Sequence, residues 1–151
     1  MDEAVLDSDI LSEVLKGKDR QVAMHARQYL SQHLQLAFST ISYYEILRGI
    51  KAKGAIRQLK AFQQVCGAAK LLPVTLPILA RAAELWAVAG AGGHPRGDAD
   101  LIVAATALEI GRVLITGNAS HFAWIPGLQV EDWRRPCLAS VSSFFTAHSP
   151  A

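Results

Sequence analysis

The chain has 151 residues, of which 51% are hydrophobic and 19% are charged, and its formal net charge at neutral pH is +2. These values fit one globular domain with a sizeable core and disfavour a second domain. No apolar stretch approaches the roughly 18 residues that a membrane span needs, and the acidic start Met1-Asp2-Glu3 is unlike a signal peptide. We therefore expect a soluble, cytoplasmic protein without a membrane partner.

The predicted elements alternate short apolar strands with longer helical segments. Strands are predicted at residues 4–6, 36–39, 71–74, 112–116 and 128–131. Helices are predicted at residues 9–16, 21–33, 42–52, 56–65, 77–89 and 99–110. The glycine-rich segment 89–97 predicts a flexible loop. Strand and helix alternation predicts an α/β fold with a mostly parallel sheet covered by helices on both faces.

Acidic residues follow the strands or open a helix along this pattern. Asp7 ends the first predicted strand, Glu45 lies past the second, and Asp98 and Asp100 open the last long helix. In open parallel sheets, ligands bind outside the carboxyl ends of the strands, so we expect these carboxylates at one edge. Such clusters hold hard cations such as Mg²⁺ and support chemistry on phosphates. The pattern predicts metal-dependent phosphodiester chemistry.

Positive charge is concentrated in the middle of the chain. Residues 46–83 contain no Asp or Glu but seven basic residues, which are Arg48, Lys51, Lys53, Arg57, Lys60, Lys70 and Arg81. A basic surface beside an acidic pocket suits a polyanionic substrate. An ordinary solvated helix face would explain the same charges.

Helix capping offers a structural explanation for each of the acids. Asp7 or Asp9 suits the N-cap of the first helix. Glu45 follows Ser42 at the spacing of a capping box, and Asp98 suits the N-cap of the last long helix. If the acids had only these structural roles, their location at one edge of the sheet would be a coincidence.

Cysteine and histidine spacing indicates no further catalytic centre. Cys66 and Cys137 are far apart and lack the spacing of a zinc site or a disulfide framework. The histidines show no arrangement typical of a nucleophilic mechanism, and we expect His121 to pack near Phe122 or to cap a turn.

Several sequence blocks occur in order between residues 4 and 133. They include Leu6-Asp7-Ser8-Asp9, Tyr44-Glu45-Ile46, Asp98-Ala99-Asp100 and Thr116-Gly117-Asn118, followed by the ending Ile125-Pro126-Gly127-Leu128 to Asp132-Trp133. In this order and spacing the blocks resemble PIN-domain ribonucleases, specifically the VapC-type toxins of toxin–antitoxin pairs. The resemblance implies a PIN-like three-layer α/β/α sandwich over residues 1–133. The C-terminal extension, residues 134–151, has no role assigned by it.

The same resemblance implies a set of site residues. Asp7, Glu45 and Asp100 match the family's catalytic ligands for Mg²⁺ or Mn²⁺. Thr116 and Asn118 match accessory positions, of which the second is an Asp or an Asn in the family.

Two more acids are candidates for an accessory role beside this set. Asp9 stands where the family usually has Asn, and Asp98 adds an acid beside Asp100. Either acid adds charge to the site or caps a helix, and we favour capping.

The resemblance also implies the activity and the partners. We expect a metal-dependent endoribonuclease that hydrolyses RNA, with Arg48, Lys51 and Arg96 as candidate RNA contacts, a cognate antitoxin and a homodimer. The alternative is a non-catalytic PIN-like regulatory module that binds RNA or protein, in which the acids are helix caps. The complete set of three acids favours the enzyme, because an RNA-binding surface gains from losing carboxylates that repel phosphate.

Overall fold

The computed structural model describes residues 1–95 and 97–136. Strands and helices alternate through this part of the chain. The strands are β1 (Ala4–Leu6), β2 (Ala37–Ser39), β3 (Lys70–Leu72), β4 (Val113–Ile115) and β5 (Val130–Glu131). The helices are α1 (Ser8–Lys16), α2 (Arg20–His33), α3 (Thr40–Lys53), α4 (Ile56–Ala68), α5 (Leu76–Gly92), α6 (Asp98–Ile110) and α7 (Ala119–Phe122).

The strand pairs of the described chain are all parallel, as the alternation predicted. β4 lies between β1 and β5, while β2 pairs with β3 and lies against β1. Leu6 stands opposite Ile115 in the β1–β4 pair, so Asp7 and Thr116 leave the sheet side by side. The carboxyl ends of the central strands therefore share one edge.

The strands form two parallel sheets, β1-β4-β5 and β2-β3, which adjoin at β1 and β2 and together separate two hydrophobic cores. Ala4 and Leu6 of β1 face a core built with α1 to α4, and this core also contains the fully buried Trp133. Val5 faces the opposite core, which contains Leu114 and the apolar faces of α5 and α6. This alternation follows from the two-residue period of a strand. The three-layer α/β/α fold is thus confirmed.

The segment predicted as a loop at residues 89–97 is partly helical. Helix α5 continues to Gly92 and ends at Gly93, which adopts the left-handed conformation with φ 69°. Ala89 is fully buried in the core beside α6. Packing of this face outweighs the low helix propensity of the glycines that follow Ala89. The short helix α7 was not predicted, because four residues give too little periodicity.

Helix boundaries decide between the capping alternatives. Helix α3 begins at Thr40 with Ser39 as its N-cap, so Ser42 lies inside the helix and the predicted capping box with Glu45 is wrong. Gly97 is the N-cap of α6, so Asp98 lies in the first turn and the predicted Asp98 cap is also wrong.

The remaining predictions concern membrane spans, the cysteines, Arg96 and the C-terminal extension, and some of them fall on residues that the structure does not describe. No helix within residues 1–95 and 97–136 is long and apolar enough to cross a membrane. Cys66 is a free thiol that packs against the core, and burial raises its pKa. Cys137, the extension from residue 137 onward and Arg96 lie outside the described residues.

Candidate active site

Asp7 is the buried centre of the site. It caps α1 by accepting a hydrogen bond from the Ser8 backbone N–H (2.8 Å), so the capping prediction for this acid is confirmed. Its second oxygen accepts a hydrogen bond from the Thr116 hydroxyl (2.9 Å). Only 4% of Asp7 is exposed. Burial, with the neighbouring charge of Asp9, raises the pKa of Asp7 from its ordinary 3.8 to about 7.

Glu45 lies on the second turn of α3, at the same edge of the sheet. Burial raises the pKa of Glu45, and the charge of Asp100 raises it further. A side-chain hydrogen bond with Ser8 and the charge of Arg48 act in the opposite direction. The Arg48 guanidinium lies 3.9 Å from the Glu45 carboxylate, one helical turn further along. Glu45 is therefore a half-buried carboxylate that faces another acid.

Asp100 occupies the first turn of α6, where the positive end of the helix dipole favours a carboxylate. Burial raises its pKa, the charge of His121 lowers it, and the charge of Asp9 raises it. His121 Nδ1 lies 4.0 Å from Asp100 Oδ2. Sequence reasoning missed this contact. The available signal was the position of His121 three residues after Asn118, in the segment that follows the central strand β4.

The four carboxylates form one electrostatic group. Asp9 and Asp100 both raise the pKa of Asp7, Asp9 raises that of Asp100, and Asp100 raises that of Glu45. Like charges brought this close raise the free energy of the ionised site unless a cation is present. The structure therefore brings the predicted set Asp7, Glu45 and Asp100 together, while their catalytic role stays a prediction.

Three of the accessory candidates, Thr116, Asn118 and Asp98, differ in their contacts and exposure. Thr116 orients Asp7, and its hydroxyl oxygen accepts a hydrogen bond from the Asn118 backbone N–H (3.1 Å). Asn118 is exposed and takes part through its backbone. Asp98 is exposed in the first turn of α6.

Asp9 joins α1 to the segment after β4. Its Oδ1 accepts a hydrogen bond from the Ile10 N–H (2.7 Å), and its Oδ2 accepts one from the Gly117 N–H (2.8 Å). Both oxygens of this carboxylate are therefore occupied by backbone donors.

An arginine beyond the last strand also enters this region. Arg134 Nη1 lies 3.7 Å from Asp9 Oδ2, and Nη2 lies 3.9 Å from Glu13 Oε1. No periodic pattern predicted this contact, because Arg134 follows the last strand by three residues and belongs to no helix.

The donor set suits a hard, partly hydrated cation. In the described part of the chain, no three His, Cys, Asp or Glu side chains are close enough together to enclose a metal ion. Mg²⁺ commonly keeps several water ligands and uses one or two carboxylates instead of an all-protein cage. An all-oxygen set built on Asp7, Glu45 and Asp100, held together against mutual repulsion, fits such an ion.

A groove of about 690 Å³ extends from the acids between α1, α3 and α4. Asp9 and Glu45 lie at its acidic end, and Leu15, Ile46 and Ile50 contribute apolar surface. Its basic lining consists of Lys16, Lys18, Arg48, Lys53 and Arg57. The groove therefore combines carboxylates, apolar surface and cations.

Of the predicted RNA contacts, Arg48 lines this groove beside Glu45. Lys51 is exposed on α3 but does not line the groove. Lys16 was missed, although Asp9, Ser12 and Lys16 recur at helical spacing and so share one face of α1.

Comparison with known proteins identifies the family of the chain. Residues 4–125 match the model of the PIN domain. The chain is 30% identical over 138 residues to Ribonuclease VapC1 of Haemophilus influenzae strain R2866, an alignment that covers 87% of this chain and 98% of that protein.

Solved structures of VapBC proteins are similar to this chain in fold. VapBC-1 from nontypeable Haemophilus influenzae is similar with a TM-score of 0.73 and 28% identity, over 87% of this chain and 98% of that one. VapBC2 from Rickettsia felis, bound to a DNA fragment from its promoter, has a TM-score of 0.78 at 19% identity, over 86% of this chain and 98% of that one. The second likeness concerns the fold alone.

Fold and site together define a domain with an acidic pocket at the carboxyl edge of a parallel sheet. The chain belongs to the PIN-domain family, among the VapC-type ribonucleases.

Proposed function

We propose that this protein is an endoribonuclease that depends on Mg²⁺ or Mn²⁺ and acts in the cytoplasm as the toxin of a toxin–antitoxin pair. The observation that carries this proposal is the electrostatic interaction of Asp100 with both Asp7 and Glu45, three acids from separate elements that each have a raised pKa. Similarity to Ribonuclease VapC1 supports the proposed ribonuclease activity.

A bound Mg²⁺ or Mn²⁺ would supply an activated water and stabilise negative charge that develops on the phosphate. The residues of the chain prepare the site for this chemistry. Thr116 holds the Asp7 carboxylate in one orientation through its hydroxyl. Arg48 places a positive charge beside Glu45, where it can contact a phosphate oxygen.

RNA is the proposed substrate because the groove beside the acids is basic. Lys16, Lys18, Lys53 and Arg57 line the groove and can neutralise phosphates on one side of the scissile bond. Exposed Tyr44 lies under the Arg48 guanidinium, 5.2 Å from ring centre to Cζ, and offers a flat surface for a base.

An antitoxin is the proposed regulatory partner. Similar proteins from Haemophilus and Rickettsia were solved as VapBC assemblies, the second with promoter DNA. The groove has both apolar surface and cations, which suits a peptide segment with apolar and acidic side chains.

A homodimer is proposed from the surface of α5. Leu76, Leu79 and Trp86 recur at helical spacing on this helix and are 81%, 42% and 47% exposed. A contiguous apolar face of this kind typically marks a protein interface.

The test is cleavage of total RNA by the purified protein freed of any antitoxin. We expect cleavage in Mg²⁺ or Mn²⁺, its loss in EDTA, and its loss in Asp100→Asn. Asp98→Asn is the matched control, because it removes the same charge from the same helical turn at an exposed position. This variant should cleave like the wild type.

Intact RNA in every reaction, without metal-dependent stabilisation of the protein, would contradict the enzyme and favour the non-catalytic RNA- or protein-binding module. Equal loss of activity in both variants would contradict the assignment of Asp100 as a ligand.

A further inference from the structure

Arg134 is held at the acidic site by a fixed stretch of backbone. Trp133 before it is fully buried and packs against the rings of His25 and Tyr29 on α2, with centroid separations of 5.9 and 5.7 Å. After it, the Arg135 carbonyl accepts a hydrogen bond from His25 Nε2 (2.9 Å). The Arg134 N–H donates to Asp132 Oδ1 (2.9 Å). The chain is thus fixed on both sides of Arg134.

The space for the guanidinium is provided by Gly117. A Cβ atom at this position would collide with Nη1 of Arg134 and would lie 2.7 Å from Asp9 Oδ2. The absence of a side chain at Gly117 therefore lets the arginine approach the segment after β4, beside the carboxylate of Asp9.

The contacts of Arg134 leave Asp9 poorly suited to bind a metal. Both Asp9 oxygens already accept backbone hydrogen bonds, and the guanidinium lies within 3.7 Å of one of them. Asp7 also accepts a hydrogen bond at each oxygen, so the feature that sets Asp9 apart is the guanidinium, whose positive charge would oppose an ion there. Glu13, the other partner of Arg134, also pairs with Lys16 at 3.6 Å.

We propose that Arg134 is a built-in cation of the acidic site, which neutralises Asp9 and Glu13 and so limits the site to one divalent ion at Asp7, Glu45 and Asp100. This inference rests on the proposed function. Arg134 is a positioning residue in this scheme, because it acts through the charge and occupancy of Asp9. A site without this cation would hold the uncompensated carboxylate of Asp9 on its α1 side and would attract a second ion.

The test is a calorimetric titration of the full chain, freed of antitoxin, with Mn²⁺. Wild type should bind one ion for each chain. Arg134→Gln should bind a second ion, and its first ion should bind about fivefold more tightly because a nearby positive charge is gone. Arg134→Lys keeps the positive charge and should return the titration to one ion.

Arg135→Gln is the matched control. It removes the same charge from the neighbouring residue, whose side chain is 79% exposed and lies 3.9 Å from Asp132. This variant should titrate like the wild type. Thermal unfolding in EDTA adds a readout without metal, in which Arg134→Gln should melt below Arg135→Gln because Asp9 loses its charged partner and Glu13 keeps only Lys16. Addition of Mn²⁺ should abolish the difference in melting temperature between the two variants.

Identical one-ion titrations of the two glutamine variants would overturn the inference, and so would two ions in the wild type. Both of these results leave the metal-dependent nuclease intact. A wild type that binds no Mn²⁺ would instead overturn the proposed function and this inference with it.

Discussion

Asp7 combines two properties that oppose each other in the metal-free protein. Its hydrogen bonds with Ser8 and Thr116 fix the carboxylate, yet burial and the charge of Asp9 penalise its ionised form. The same arrangement that prepares Asp7 for a cation therefore destabilises the protein without one. Stability and activity should respond in opposite directions when this carboxylate is neutralised.

Asp7→Asn should abolish RNA cleavage and stabilise the metal-free protein at pH 8. The native Asp7 retains its proton up to a pKa of about 7, whereas the unfolded chain loses it near 3.8. Native protein binds more protons between these values, so the free energy of unfolding falls as pH rises through this range, by an amount on the order of a few kcal/mol. Urea unfolding of the wild type and of Asp7→Asn in EDTA at pH 5 and pH 8 measures the change in the free energy of unfolding with pH.

The asparagine still caps α1, because Asn is as favourable an N-cap as Asp. Asp98→Asn is the control, since its exposed side chain should leave the pH dependence unchanged. The raised pKa values of Glu45 and Asp100 have the same sign, so some of the slope should remain in Asp7→Asn. A slope identical to that of the wild type would contradict the burial argument.

Among the secondary-structure elements, the site depends on where the helices α1, α3 and α6 begin. Helix α1 starts directly after β1, and α3 starts directly after β2 with the buried Ser39 as its N-cap. Helix α6 approaches from the opposite core and presents Asp100 in its first turn. The short connections leave these helix starts little freedom, which fixes the spacing of the carboxylates.

Ser39→Ala should lower the free energy of unfolding by about 1 kcal/mol, because the Ile41 N–H loses its side-chain acceptor. Chemical denaturation measures the change. Ser31→Ala is the control, since Ser31 lies on the exposed surface of α2 and donates its hydroxyl to the Gln28 carbonyl of the same helix. It should change stability little. A cost as large as that of Ser39→Ala would show that loss of any serine hydroxyl, and not loss of the cap, explains the effect.

Elements and ligands were predictable from the sequence to different degrees. Apolar runs and helical periods predicted the five strands and the six longer helices to within a few residues, and strand ends predicted where Asp7 and Thr116 would lie. The pairing of Arg134 with Asp9 was not predictable, because it depends on the path of the chain after β5 and on the space at Gly117. The prediction that Glu45 lies at the carboxyl edge of the sheet agrees with the structure. The capping box predicted for Glu45 is wrong because α3 starts at Thr40, two residues before the predicted start.

The exposed face of α5 differs in composition from the rest of the protein surface. Two residues of this helix, Arg81 and Glu84, are charged, and Arg81 pairs with Glu109 of α6 at 3.0 Å. The remaining exposed positions are apolar. Self-association through this face would leave the acidic pocket accessible, because α5 packs on the opposite core from α1, α3 and α4.

The double variant Leu79→Glu with Ala83→Lys should convert a dimer into a monomer in light scattering. The pair adds opposite charges at i and i+4, which supports the helix while introducing polar groups on the proposed interface. Ile56→Glu is the control, because Ile56 is 69% exposed but lies on α4. A double variant that remains dimeric, with unchanged helix content, would exclude α5 as the interface.

The central position of β4 has a consequence for how the toxin first becomes active during synthesis. β4 is inserted between β1 and β5, so Asp7 gains its Thr116 partner only after more than two thirds of the chain has been made. A nascent chain that ends before residue 113 carries Asp7, Glu45 and Asp100 but lacks the strand that aligns the first of them. The acidic pocket is thus assembled only late in translation, so an inhibitor made beforehand would already be present when the fold is completed.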